Sequence, residues 1–92
     1  MIRYAPEARA DVLRLHAFQK KRGAEVAKRW RELLRSTEHK IAARPQMFPP
    51  SADGEARKCV MRFGRSVYVV YYVIDGDDQI IVRLWHGRES RA

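Results

Sequence analysis

The chain has 92 residues, of which 46% are hydrophobic and 33% charged; this is the make-up of one soluble globular domain spanning residues 1–92, and a domain of this size buries only about 60–65% of the surface its unfolded form exposes. No apolar run reaches the ~20 residues of a membrane-spanning helix, and "MIRYAPEARAD" has neither the apolar core nor the cleavage site of a signal peptide, so no membrane contact and a cytoplasmic location are expected. Nineteen Lys and Arg stand against eleven Asp and Glu, a net charge of +8, which predicts an acidic partner: nucleic acid, the ribosome or an acidic protein.

Ile2 to Tyr4 is a short apolar stretch before Pro6, and it predicts a first strand followed by a helix that opens near the proline, where a missing N–H costs nothing. Glu7 and Asp11 then fall in the electropositive first turns. From Glu7 to Lys21, the positions Ala8, Val12, Leu15 and, less strictly, Phe18 make one apolar face, and Gly23 is the expected stop. A second helix is better marked. Val26, Ala27, Trp30, Leu33, Leu34, Thr37 and Ile41 keep a spacing of three and four residues, while Lys28, Arg31, Glu32, Arg35 and Glu38 form a solvated face of mixed sign. The two helices are expected to form an antiparallel hairpin. Trp30 lies on the apolar stripe and reads first as a core residue, with anchoring of a partner as its second reading.

"ARPQMFPPSADGEAR" carries three prolines and a glycine, so it is a connecting loop. Beyond it, Arg57, Cys59, Met61 and Phe63 alternate with Lys58, Val60 and Arg62, the period of a strand with one buried face. Cys59 is the single cysteine, which excludes an internal disulfide and a cysteine-based zinc site, and it reads as a small buried side chain. Gly64 to Ser66 is a turn. "VYVVYYVI" is apolar on both faces and predicts a central strand whose tyrosines lie partly toward a groove or partner. "DGDD" signals a hairpin. In the last strand Ile80, Val82 and Leu84 alternate with Gln79, Ile81, Arg83 and Trp85. The expected fold is therefore α+β in the order β-α-α-β-β-β, with a helical hairpin on one face of a twisted, mostly antiparallel sheet.

Metal and nucleotide chemistry find no support, because His16, His39 and His86 lack ligand spacing and no glycine loop cradles phosphate; no metal and no cofactor are expected. What remains is a basic and aromatic set: Arg62, Arg65, Tyr68, Tyr71, Tyr72, Arg83, Trp85, His86, Arg88 and Arg91. A ribonuclease without metal needs a base, an acid and cations for the charge developing on phosphorus. His86 and Arg88 suit those roles, and each also reads as an ordinary residue at a strand end. The charge and tyrosines alone would equally suit a simple nucleic-acid-binding module.

This element order, ending in "RFGRSVYVVYYVIDGDDQIIVRLWHGRESR", resembles the RelE/ParE superfamily of toxins from type II toxin–antitoxin systems. The resemblance covers nearly the whole chain, and "YVVYYVIDGDDQIIVRLWHGR" is its most specific part. It implies a cognate antitoxin, usually acidic, whose C-terminal segment wraps the toxin. RelE-like members cut messenger RNA on the ribosome, whereas ParE-like members poison DNA gyrase. Arg62 and Arg88 match basic positions of the RelE-like pattern. Val69 stands where that pattern has an Arg, and the tail lacks its tyrosine, with His86 as a substitute group. The ending "LWHGRESR" is closer to ParE-like and plasmid-stabilisation proteins.

The resemblance thus implies a ParE-like gyrase inhibitor without catalytic residues. Arg83, His86, Arg88 and Arg91 are the expected toxic surface, and Trp30, Tyr68, Tyr71, Tyr72 and Trp85 the expected antitoxin contacts. The alternative is a metal-independent, ribosome-dependent endoribonuclease using His86, Arg88 and Arg62.

Overall fold

In the computed structural model, which describes residues 1–89, the chain runs through β1 (Ile2–Tyr4), α1 (Pro6–Arg22), α2 (Ala24–Ala43), β2 (Arg57–Phe63), β3 (Ser66–Asp75) and β4 (Asp78–His86). The order is the one expected. The four-stranded sheet is arranged β1-β4-β3-β2; β1 runs parallel to β4, and the other neighbours are antiparallel. β3 is thus central, as its two apolar faces predict. Gly64 and Gly76, both at φ +59°, open the turns that join β2 to β3 and β3 to β4, a conformation that costs glycine nothing.

The core lies between one face of this sheet and the helical hairpin. Trp30, Leu34 and Ile41 from α2 and Ala8 and Leu15 from α1 meet Cys59, Met61, Tyr68, Val70, Tyr72, Ile81 and Leu84 from the sheet. Trp30, Tyr68 and Tyr72 have no accessible surface. Trp30 meets the Tyr68 ring edge-on at 5.7 Å between centroids, so the tryptophan's role is packing, and truncating it to Ala would cost about 3–5 kcal/mol.

Two expectations need correction. Phe18 is 53% exposed, and the buried positions of α1 are Ala8, Asp11, Leu15 and Gln19. This set keeps helical spacing but includes two polar residues, which is why an apolar count misplaces the face. In β4 the strict alternation fails. Tyr72 faces Ile81 and Tyr71 faces Arg83, so Val82 is an extra residue without a partner on β3. Such a bulge shifts the phase of the side chains that follow, and the core side chains become Ile81 and Leu84, three apart.

The shortness of β1 explains Asp11. β1 ends at Tyr4, and the last bond along that edge is from Ala5 N–H to the Ile81 carbonyl at 2.9 Å. Beyond it α1 lies along β4. There the buried Asp11 carboxylate accepts from Leu84 N–H at 2.9 Å, a donor that would otherwise be buried unpaired.

Candidate interaction surface

The sheet face turned away from the helices forms an open groove of about 1110 Å³. Its floor is apolar because paired residues share a face: Val69 opposes Trp85 and Tyr71 opposes Arg83, and Val60, Val67 and Val82 extend the lining. Lys58, Arg65, Arg83 and Arg88 edge it, and residues 51–53 of the loop after α2 make one wall. That loop is anchored by the Arg57 guanidinium, which donates to the Gln46 and Phe48 carbonyls, and by the Tyr72 hydroxyl, which donates to the Pro45 carbonyl.

Arg83 is held from behind. Its Nε donates to Asp11 Oδ2 at 2.8 Å and its Nη2 to Asp11 Oδ1 at 3.2 Å, while the guanidinium carbon lies 4.4 Å from the Trp85 ring centre. Arg14 Nη1 completes the site on Asp11 Oδ1 at 2.8 Å. Burial alone would raise the Asp11 pKa. The hydrogen bonds from Arg83, Arg14 and Leu84 outweigh it and hold the carboxyl below the ordinary value of 3.8.

The turn after β4 is likewise tied down. Gly87 N–H donates to the Val67 carbonyl at 2.6 Å, and Arg88 N–H donates to His86 Nδ1 at 3.1 Å. Glu89 accepts from His86 N–H at 2.7 Å and pairs with Arg14 at 2.9 Å. His86 opposes Tyr68 in the sheet, and the two rings meet edge-on at 5.0 Å. The imidazole therefore lies toward the helix side, with Nδ1 occupied as an acceptor.

The expected residues fall into separate groups. Arg83 and Arg88 edge the groove, Tyr71 and Trp85 lie in it with their rings 5.7 Å apart, and Arg91 is outside the described residues. Trp30, Tyr68 and Tyr72 belong to the core, so of the expected antitoxin contacts only Tyr71 and Trp85 carry accessible surface. Tyr68 is further engaged by the Gln19 side-chain amide, which donates to its hydroxyl. Of the set His86, Arg88 and Arg62, the first two line the groove together and are joined by the bond from Arg88 N–H to His86 Nδ1. Arg62 opposes Val67 on the groove side of the sheet, whereas the His86 ring packs on core Tyr68. Among the described residues no group of three His, Cys, Asp or Glu is placed to hold a metal ion. No described helix is long and apolar enough to cross a membrane.

Asp11 was hidden from sequence reasoning, which read it as a charge in the first turns of a helix. Its signal is its position: with Ala8, Leu15 and Gln19 it follows the buried stripe, where a carboxylate demands partners.

The profile of the ParE toxins of type II toxin–antitoxin systems matches residues 2–91. The chain belongs to the ParE toxin family. Among solved structures this toxin is similar to a chain of the chromosomal ParDE toxin–antitoxin system from P. aeruginosa, with a TM-score of 0.67 at 15% identity over 92% of each chain. At that identity the likeness establishes the fold, which is the ParE-like arrangement of two helices on a mixed four-stranded sheet. No curated protein sequence matches the chain. The ParE-family toxin is the toxin component of a type II system, and a cognate antitoxin is its partner.

Proposed function

We propose that this ParE-family toxin arrests growth by inhibiting DNA gyrase through a protein-binding surface, with Arg83 and Arg88 at its centre and the His86 turn as its support. The antitoxin fills the groove, its acidic side chains against Lys58, Arg65 and Arg83 and its apolar ones on the valine floor. Its binding to the native state alone stabilises so small a domain. The setting is the cytoplasm, and the module serves plasmid stabilisation or a chromosomal counterpart of it.

The observation that carries this reading is Val69. The position where a RelE-like nuclease would present an arginine to phosphate holds a side chain only 8% exposed, facing Trp85 in the groove floor. A surface so built offers apolar burial to a protein, at about 25 cal/mol per Å², and little to a scissile phosphate.

The test is expression without antitoxin, followed by assays for gyrase-linked double-strand breaks and for codon-phased messenger cleavage on ribosomes. Breaks with intact messenger are expected. Cleaved messenger without breaks would overturn the proposal in favour of an endoribonuclease.

A further inference from the structure

One end of the molecule gathers cations of which the groove rim accounts for only Arg65 and Arg88. α1 ends in Lys20, Lys21 and Arg22. The Gln19 amide reaches the Tyr68 hydroxyl, which places the end of α1, and with it the tip of the helical hairpin, over the start of β3. Tyr68 opposes His86, and Gly87 is bonded to Val67. The β2–β3 turn with Arg62 and Arg65, and the turn after β4 with Arg88, therefore share this end of the molecule. Among the described residues none of these cations has a carboxylate partner, since the ion pairs of Lys and Arg are confined to Arg3, Arg14 and Arg83; what sets this end apart is that six of them come together from three segments. The other end of the sheet carries Asp75, Asp77 and Asp78 in the β3–β4 turn.

The two ends are separated by the length of β3, about 30 Å at 3.3 Å per residue, or roughly three screening lengths at 0.1 M salt. An anion approaching the basic end is consequently attracted without opposition from the acidic one, and the molecule is oriented end-on as it arrives.

We infer that the tip of the helical hairpin, the β2–β3 turn and the turn after β4 form a docking surface for the phosphate backbone of duplex DNA. An acidic protein segment is better served by the groove, where cations border an apolar floor. A single strand requires stacking platforms beside its cations, and the aromatic pair Tyr71 and Trp85 lies in the groove, set edge to face. The basic end offers charge on projecting turns, which is what a duplex with one phosphate charge per ~1.7 Å takes up without sequence preference. The inference is independent of the gyrase reading, and its failure would leave that reading untouched.

The experiment is fluorescence anisotropy of a labelled duplex of about 24 base pairs titrated with the whole toxin between about 50 and 200 mM salt. Each phosphate contact contributes about −0.9 to the slope of log affinity against log salt, so K21E/R22E should weaken binding at least about tenfold and reduce the slope by about 2. R62Q/R65Q, which removes cations from the sheet side of the same surface, should reduce it in the same direction. R9E/K40E, with the same change in net charge away from this end, should change affinity less than about twofold. Melting temperatures within about 2 °C of the parent confirm that each variant is folded. Equal weakening by K21E/R22E and R9E/K40E would overturn the inference, leaving only diffuse attraction. So would tighter binding of the single strand of the same length, or displacement of the duplex by polyglutamate of matched charge.

Discussion

Asp11 on α1 accepts two hydrogen bonds from Arg83 on β4, at 2.8 and 3.2 Å, and a third from the next residue's backbone, Leu84 N–H, at 2.9 Å. One buried carboxylate therefore does two things. It closes the strand edge that β1 leaves open, and it aims a cation into the groove on the other side of the sheet.

Replacing Asp11 by Ala should lower stability by about 2–3 kcal/mol, measured by urea unfolding, because Leu84 N–H is left buried and unpaired. Arg83→Ala should cost less, since that side chain is 40% exposed and water replaces part of what it loses. The Asp11 carboxyl is depressed below 3.8 in the fold. Its contribution is therefore complete above that ordinary value and is lost as pH falls through the folded value. Asp11→Asn should flatten the acid limb of a stability profile in that range.

Arg88 is exposed beside the groove and its backbone, not its guanidinium, holds the turn. Arg88→Ala should thus leave the melting temperature within about 2 °C of the parent and antitoxin binding nearly intact, while growth arrest falls. Undiminished arrest in a plating assay would remove Arg88 from the toxic surface.

His86 lends an acceptor to the backbone of Arg88. Asn can supply an acceptor of similar reach, so His86→Asn should keep most of the toxicity, and His86→Ala should lose more of it. A catalytic base would give the opposite ranking, with Asn and Ala equally dead in a messenger-cleavage assay.

Val60 is 48% exposed on the groove face of β2. Val60→Asp should reduce antitoxin affinity by tenfold or more, about 1.4 kcal/mol, by placing a carboxylate against an acidic partner, with stability little changed because the site is open to water. Titration calorimetry of the purified pair measures this directly.

His16 stacks at 6.3 Å on Trp30. Burial, with lesser effects from Lys20 and Arg31, holds it below its ordinary value of 6.5. A histidine depressed in the fold stabilises above the unfolded value, and that stabilisation is lost as pH falls through the folded one. The melting temperature should therefore decline below pH 6.5, and His16→Phe, which can still stack, should flatten the decline.

The second helix, the central strand and the hairpin turns were legible in the sequence because each rests on local rules: the spacing of Trp30, Leu34 and Ile41 on one helical face, the two apolar faces of residues 67–74, and Gly64 and Gly76 where the backbone needs positive φ. The family resemblance was legible for the same reason, since it is carried by the linear order of those elements and by the ending of β4. The first helix was harder. Its two buried polar residues, Asp11 and Gln19, have partners 72 or 73 and 49 residues away respectively, and nothing local reveals that a carboxylate on the core stripe will be satisfied.

The sequence by itself determined the element order, the net positive charge and the apolar character of Val69 at the position where the RelE-like pattern has an arginine. Only the tertiary structure decided which aromatic residues are surface and which are core. In a strand apolar on both faces, the face is chosen by register, and the bulge at Val82 resets that register for everything after Ile81. The same packing decided that Arg83 works as a held cation and that the His86 ring packs on core Tyr68, because both outcomes depend on which strands are neighbours and on where β1 ends.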